Sequence, residues 1–414
     1  MKIAVVGAGV IGLTSAYELA LDGHSVSIFE QASSAATASS FANAGLLSPS
    51  LTQYLSLPAW PPTGWLARAM TLHALKIGPR VSWEDLRWLG NWRKRISPET
   101  LLQNAQVAHT LIEAGKQRVH AIAANEKFEF ERTEGQLILV NNEARLIQLR
   151  DKLTTLKSWG VVASEISPED VQKFEPGFNA PATLHRAIHI PEDEVGNCRQ
   201  FALGVKKALQ AMDVQFHFDT TVANIQSALK PRIYIRGSTQ FHEFDHVVVC
   251  TGTRTHTLTQ SFKIPMPMAS IASYSLTARV KEEINAPRSA LHDAHHHTSI
   301  VRMGKRIRVS CGAELGTVLS SRNAGTTRHL YRVLQEMFPG GADYSGSVQV
   351  WKGTMAVTAD GLPIIGPSSQ NGVWLNLGHG PNGWGMACGS AMCIAAAIGG
   401  RSSIVDLKKV SPLR

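Results

Sequence analysis

Three glycines near the N-terminus are spaced for phosphate chemistry. Residues 7–12 read Gly-Ala-Gly-Val-Ile-Gly, directly after the apolar run of residues 2–6 and directly before a stretch with Leu13, Ala16, Tyr17 and Ala20 at helical spacing. Gly7 permits a tight turn, Gly9 lets the backbone approach a pyrophosphate, and Gly12 lets a helix pack closely on a strand. The helix start would aim free N–H groups and a positive dipole end at the phosphates. A second strand, residues 25–29, ends in Glu30, twenty-one residues after Gly9. An acid at that distance accepts hydrogen bonds from a ribose diol and disfavours a 2′-phosphate, and Gln31 follows it. The chemistry implied is tight binding of a dinucleotide.

Other residues are candidates for work at the reactive end. Gly378, Gly380 and Gly383 surround His379, Asn382 and Trp384, just before an apolar stretch rich in small residues. A helix starting there would turn its positive end toward charge developing on a bound cofactor. His379 reads as a structural hydrogen-bonding group in preference to an acid or base. His292, His295, His296 and His297 form a cluster without clear metal-ligand spacing, because successive residues of a strand point to opposite faces; no metal is expected. Tyr274 is the candidate for a substrate-contacting hydroxyl.

The elements that must position these residues follow an alternating order. Residues 244–250 read as a buried strand ending in Thr251-Gly252-Thr253, where a backbone can run close to a nucleotide. Residues 99–125, 142–159, 201–212 and 326–338 read as helices. Residues 273–280, 299–303, 306–311 and 348–355 alternate in the manner of an antiparallel sheet with one covered face. The fold class expected is α/β with an α+β second domain. A doubly wound, Rossmann-like domain takes residues 1–70, 185–262 and 352–414, and an interleaved substrate domain on an antiparallel sheet takes 71–184 and 263–351.

Composition sets bounds. The chain has 414 residues, 44% of them apolar and 18% charged, enough for two or three domains. Its net charge of +9 includes no Lys/Arg block of nucleic-acid type, so no nucleic-acid partner is expected. Five cysteines without a C-x-x-C pair suit reduced thiols in the cytoplasm. Residues 60–95 mix Trp60, Trp65, Trp83, Trp88 and Trp92 with basic side chains. That pattern suits packed helices with solvated basic faces, or contact with a membrane surface or partner.

Taken together, the N-terminal loop, Asn43-Ala44-Gly45, Ser48-Pro49, residues 190–198, Ser273-Tyr274-Ser275-Leu276-Thr277 and the block of residues 378–390 resemble the bacterial D-amino-acid dehydrogenases. These sit within the wider group of D-amino-acid, glycine and sarcosine oxidases. The resemblance runs along nearly the whole chain and implies non-covalent FAD, a two-domain fold and oxidation of a C–N bond next to a carboxylate. It assigns Glu30 to the adenosine ribose and Gly7, Gly9 and Gly12 to the pyrophosphate. It lays Ser39, Ser40, Ala44, Gly45 and Leu46 along the flavin, Val222, Thr251 and Gly252 about the adenine, and Gly380, Asn382, Gly383 and Trp384 at the pyrimidine end. Gly353 joins the cofactor set.

One departure stands out. The family carries G-x-R-P-x-T-P-D-G-x-P before its last strand, and that arginine holds the substrate carboxylate. Here residues 353–363 read Gly-Thr-Met-Ala-Val-Thr-Ala-Asp-Gly-Leu-Pro, so Met355 takes the arginine's place. A thioether cannot make a bidentate carboxylate pair. Lys352, three residues earlier, would point to the opposite face. The carboxylate is then held by another group, with Arg302, Arg308 or Tyr274 as candidates; or the substrate differs, as a bulky secondary amine would; or the chain is the FAD-bearing subunit of a larger opine, hydroxyproline or secondary-amine dehydrogenase, or a non-catalytic flavin-binding subunit. Tyr274, Arg302 and His379 form the candidate catalytic set. The substrate expected is an amino acid or amine, with a quinone or partner protein as electron acceptor and an oligomer as one form of assembly.

Overall fold

The computed structural model describes all residues except 52–74, 96, 182, 228, 255–257, 259–261, 263–267 and 319–321. Trp60 and Trp65 therefore lie outside the described residues.

Short, apolar β-branched runs build the first sheet. Lys2–Val6 lies at its centre, buried from Ile3 onward. It pairs in parallel with Ser25–Phe29 on one side and His246–Val249 on the other. Gln215–His217 and Val373–Leu377 extend the sheet in parallel, and Ile364–Pro367 closes one edge antiparallel. Strands buried on both faces carry continuous apolar runs, which is why this sheet is so legible.

Helices Val10–Leu21, Pro98–Asn125, Cys198–Ala211 and Gly383–Ile398 share one core cluster on one side of the sheet. The long helix lies against Gly383–Ile398 at the distance glycine allows. A Cβ on Gly389 would stand 2.1 Å from the Leu111 carbonyl oxygen, and one on Gly115 2.4 Å from that of Gly385. Arg118 clamps the same helix to Val10–Leu21 through both oxygens of Glu18, at 2.7 and 3.0 Å. A three-stranded sheet, Val222–Ser227, Pro231–Ile235 and Phe241–Glu243, supplies Val222, Ile225 and Ile233 to a second core cluster.

The second sheet has eleven strands and is mostly antiparallel. Along its main path it runs Ala342–Asp343, Met268–Val280, Arg306–Leu315, Thr298–Met303, Ala290–Asp293, Thr133–Val140, Arg186–Val195 and Leu46–Leu47. Gln349–Thr358 also pairs with Met268–Val280, placing Met355 opposite Ile271 and Gly353 opposite Ser273. Helix Ala324–Met337 covers one face, over Tyr274, Leu276, Ile307 and Val309.

The chain changes sheets inside segments that the sequence assigns to the nucleotide domain. Leu46–Leu47 and Arg186–Val195 belong to the large sheet, and Gln349–Thr358 spans the expected boundary at 351/352. All five cysteines are buried and unpaired. Among the described residues, no helix is long and apolar enough to cross a membrane.

Candidate active site

A cavity of roughly 1630 Å³ runs between the two sheets. At one end lie Gly7, Gly9, Glu30, Gln31, Val222, Thr251 and Gly252. Gly7 has φ +108°, and a Cβ there would meet the Cys250 carbonyl oxygen at 2.6 Å. A Cβ on Gly12 would stand 1.8 Å from the Gly7 carbonyl oxygen, so Gly12 packs helix on strand and does not itself line the cavity. Gly9 caps the first helix with extended backbone and no side chain. The two Glu30 oxygens accept from the Ala8 N–H at 2.8 Å and the Ala32 N–H at 2.9 Å, which fixes the carboxylate at the strand end with lone pairs left over.

The middle of the cavity is walled by residues 36–46, which are fastened to the large sheet. Ser275 donates to the Ala42 carbonyl at 2.8 Å, Arg308 to the Asn43 carbonyl at 2.9 Å, and the Gly196 N–H to the Gly45 carbonyl at 2.8 Å. Ser39, Ser40, Ala44, Gly45 and Leu46 all line the space. The Ser40 hydroxyl accepts from the Val10 N–H at 3.0 Å, spending itself on the first helix's N-terminus.

Gly353, Gly380, Asn382, Gly383 and Trp384 line the far end, where helix Gly383–Ile398 begins. Gly378 and Gly380 adopt φ +71° and +58°, the left-handed region that side chains resist. Trp384 and Asn376 line the cavity, and the buried Trp384 indole N–H and Asn376 Oδ1 have no hydrogen-bond partner among the described residues. These features fit FAD: a turn that a Cβ would close, a fixed acid at ribose distance, unpaired polar atoms along the wall and a helix N-terminus at the far end.

His379 is buried, and its Nε2 meets the Ser390 hydroxyl at 3.0 Å. Burial pushes its imidazole down to about 3, so it is neutral at neutral pH. Tyr274 lines the cavity, but its hydroxyl donates to Glu314 at 2.9 Å and accepts from the Asn323 N–H at 3.0 Å. Its cross-strand neighbour is Lys352, whose ammonium stands 5.3 Å over the Tyr274 ring and binds Thr317 and the Val318 carbonyl, each at 2.8 Å. Lys352 and Met355 thus lie on opposite faces of their strand, as alternation requires. Ser273, Gly353 and Met355 share the face that carries Ser275, which binds the cofactor-side segment.

Two arginine expectations are corrected. Arg302 does not line the cavity; it donates to the Gly304 carbonyl at 3.0 Å and pairs with Glu283 at 3.4 Å. Arg308 is buried but spent on Thr277, at 3.0 Å, and on the Asn43 carbonyl, so it fastens the wall instead of facing a substrate. Trp88 and Trp92 stack at 6.1 Å and line the cavity, whereas Trp83 is 83% exposed, so the aromatic belt divides between inside and outside.

Of the cavity's other polar lobe, the sequence pointed only to the histidines, whose segment borders the substrate pocket in the family the chain resembles. Arg145, Gln148, His292, His297, Ser299 and Ser310 line it. The histidine run was the available signal; Arg145 and Gln148 lie in a separate helix and carry none. Among the described residues, no group of three or more His, Cys, Asp or Glu is arranged to hold a metal ion.

Residues 2–397 match the DAO family of FAD dependent oxidoreductases. The chain belongs to that family. A D-amino acid dehydrogenase of Neisseria meningitidis is 30% identical to it over 97% of each chain. One of Bradyrhizobium diazoefficiens is 29% identical over 99% of this chain and 98% of its own. Glycine oxidase from Geobacillus kaustophilus shares the fold with a TM-score of 0.75 at 17% identity, over 100% of this chain and 99% of its own. The chain is thus an FAD-dependent oxidoreductase with a Rossmann-like cofactor domain.

Proposed function

We propose that the protein oxidises the C–N bond of an amino acid or related amine, giving an imine that water hydrolyses to an oxo acid and ammonia or an amine. The observation that carries this reading is one continuous cavity reaching from Glu30 to a sheet wall bearing Ser273, Gly353 and Met355. The D-amino acid dehydrogenase relatives, similar over nearly the full length, support it.

Bound FAD supplies the two-electron acceptor for the hydride that leaves the carbon bearing nitrogen. Gly7, Gly9 and the first helix hold its pyrophosphate, and Glu30 its ribose. The N-terminus of helix Gly383–Ile398 stabilises negative charge with its N–H groups and dipole. His379, neutral and bonded to Ser390, holds the loop at that terminus and moves no proton. An amine that binds deprotonated needs no general base. The loop segment at 42–45 and the sheet wall exclude water from the reacting carbon.

Met355 favours a second form of the reading, in which the substrate is a secondary or cyclic amine whose acid group is not held at that position. A quinone or a partner protein then takes the electrons. The test is turnover of a dye acceptor by the flavin-loaded protein across D-amino acids, N-alkyl amino acids and cyclic imino acids. Turnover of at least one class is expected; a fully flavinated protein inert to all three would overturn the reading and favour a non-catalytic subunit.

A further inference from the structure

The cavity does not end at the residues facing the cofactor. Cross-strand registers place Ser275, Ser310, Ser299 and His292 opposite one another in turn, so they share one face of the large sheet. This is the face that binds residues 42 and 43. Three strand steps separate Ser275 from His292, about 14 Å along the sheet. Ser275 is spent on Ala42, and Ser299 on His292 Nδ1 at 2.9 Å. Ser310, between them, lines the cavity, and its buried hydroxyl has no partner among the described residues. A native protein seldom leaves such a group unpaired without a ligand or water to complete it.

At the far end of this row stands a cationic lobe. Asn142 accepts from the Arg145 N–H at 2.9 Å, which sets Arg145 in the first turn of helix Glu143–Ser158. The Arg145 guanidinium then reaches the turn after His292, donating to the Ala294 carbonyl at 2.8 Å. His292 and His297 lie beside it, both held below the usual imidazole range by burial and by the nearby guanidinium. Lys152, on the same helix, is pushed down to about 8 by burial and by Arg145. The nearby acid, Asp293, faces the other side of the strand. Its carboxylate takes His296 Nδ1 at 2.6 Å and the N–H groups of His295 and His296 at 2.8 and 3.2 Å. Arg145 and Lys152 thus bring positive charge to this lobe, and the described acid coupled to Arg145, Asp293, is hydrogen-bonded on the other face. Charge of that sign beside a water-excluding wall attracts an anion.

We propose that Arg145, His292 and His297 form a second anion subsite, which takes a carboxylate at the end of the substrate remote from the carbon being oxidised. The inference rests on the C–N oxidation reading and narrows it. The α-carboxylate of a simple amino acid sits one bond from the oxidised carbon and cannot reach this lobe. The substrate class is an extended amino or imino acid with a distal carboxylate, its polar middle passing Ser310. This also accounts for Met355, since anion recognition moves from the strand Gln349–Thr358 to the other end of the same sheet face.

The test uses unreactive diacids on the flavin-loaded protein, with calorimetry and the flavin difference spectrum as readouts. Suberate should bind at least tenfold more tightly than its uncharged diamide. Arg145→Met should weaken suberate at least tenfold while leaving flavin content unchanged. His297→Ala and Ser310→Ala, which remove no buried charge, should each weaken it about threefold and serve if Arg145→Met does not fold. Equal affinity for suberate and its uncharged diamide, or suberate binding indifferent to all the variants that fold, would overturn the subsite. Arg145-dependent diacid binding by a protein that oxidises no amine would instead overturn the C–N oxidation reading.

Discussion

The Tyr274 hydroxyl donates to Glu314 at 2.9 Å, and both side chains are buried. Glu314 also accepts from Asn323 Nδ2 at 3.1 Å and stands 3.7 Å from the Lys352 ammonium. A tyrosine bound into such a network holds the wall in shape. Tyr274→Phe leaves a buried carboxylate short of a donor, at a cost of about 1–3 kcal/mol. Urea unfolding of the holoprotein should show that loss, with kcat/KM for the best amine falling less than about tenfold. A loss of kcat/KM far beyond tenfold at unchanged stability would return Tyr274 to the substrate.

Gly9 and Gly12 should separate cofactor binding from folding. Gly9 has φ −72°, and a Cβ there would meet nothing closer than the Ser40 hydroxyl at 3.5 Å. Gly9→Ala should fold normally, with stability within about 0.5 kcal/mol of the parent apoprotein, yet bind FAD weakly. Gly12→Ala drives a methyl into the Gly7 carbonyl and should cost about 3 kcal/mol or more. Flavin absorbance per mole and thermal unfolding of both apoproteins check the pair.

His379 gives a pH prediction with a definite sign. Its folded value of about 3 lies below the ordinary 6.5, so the fold holds it neutral. The unfolded chain binds the extra proton below about pH 6.5. Its contribution to stability is therefore complete above that pH and is lost as pH falls toward 3, at about 1.4 kcal/mol per unit. His379→Asn should flatten this part of the stability–pH curve and leave any limb near 6.5 in the kcat/KM profile in place. Disappearance of such a limb in the variant would make His379 an acid or base.

Met355 lines the cavity, at the position for which the family resemblance implies an arginine. Met355→Arg should improve kcat/KM for small D-amino acids by about 10- to 100-fold, the worth of a charge-assisted carboxylate contact. An unchanged or lower value, with flavin retained, would place small amino acids in another pose.

Much of this molecule is written locally. The strand, glycine loop, helix and acid at residues 2–30 declare themselves because their spacing is set within one short stretch, even though the carbonyl that closes on Gly7 comes from distant Cys250. Gln349–Thr358 and Met268–Val280 were legible as alternating strands, and alternation alone put Lys352 and Met355 on opposite faces. Arg186–Val195 was not legible as a strand. It contains Pro191 and three acids, and two of those, Asp193 and Glu194, are buried by partners far along the chain. Ser50 and Asp193 pair across 143 residues, and His120 meets Glu194 at 2.7 Å. Arg302 and Arg308 look alike in sequence, and only tertiary packing turns one outward to Glu283 and the other inward to Asn43. The Arg145 lobe was hidden for the same reason, since a helix more than a hundred residues away completes the histidine turn.

The central claim is that FAD held in this cavity accepts hydride from a carbon bearing nitrogen. Anaerobic addition of amine substrates to the flavin-loaded protein, followed by flavin absorbance and by assay of the oxo acid, tests it most directly. Bleaching of the flavin with one oxo acid formed per flavin reduced is the predicted result. A flavin that dithionite reduces but no amino acid, N-alkyl amino acid or cyclic imino acid bleaches would contradict it.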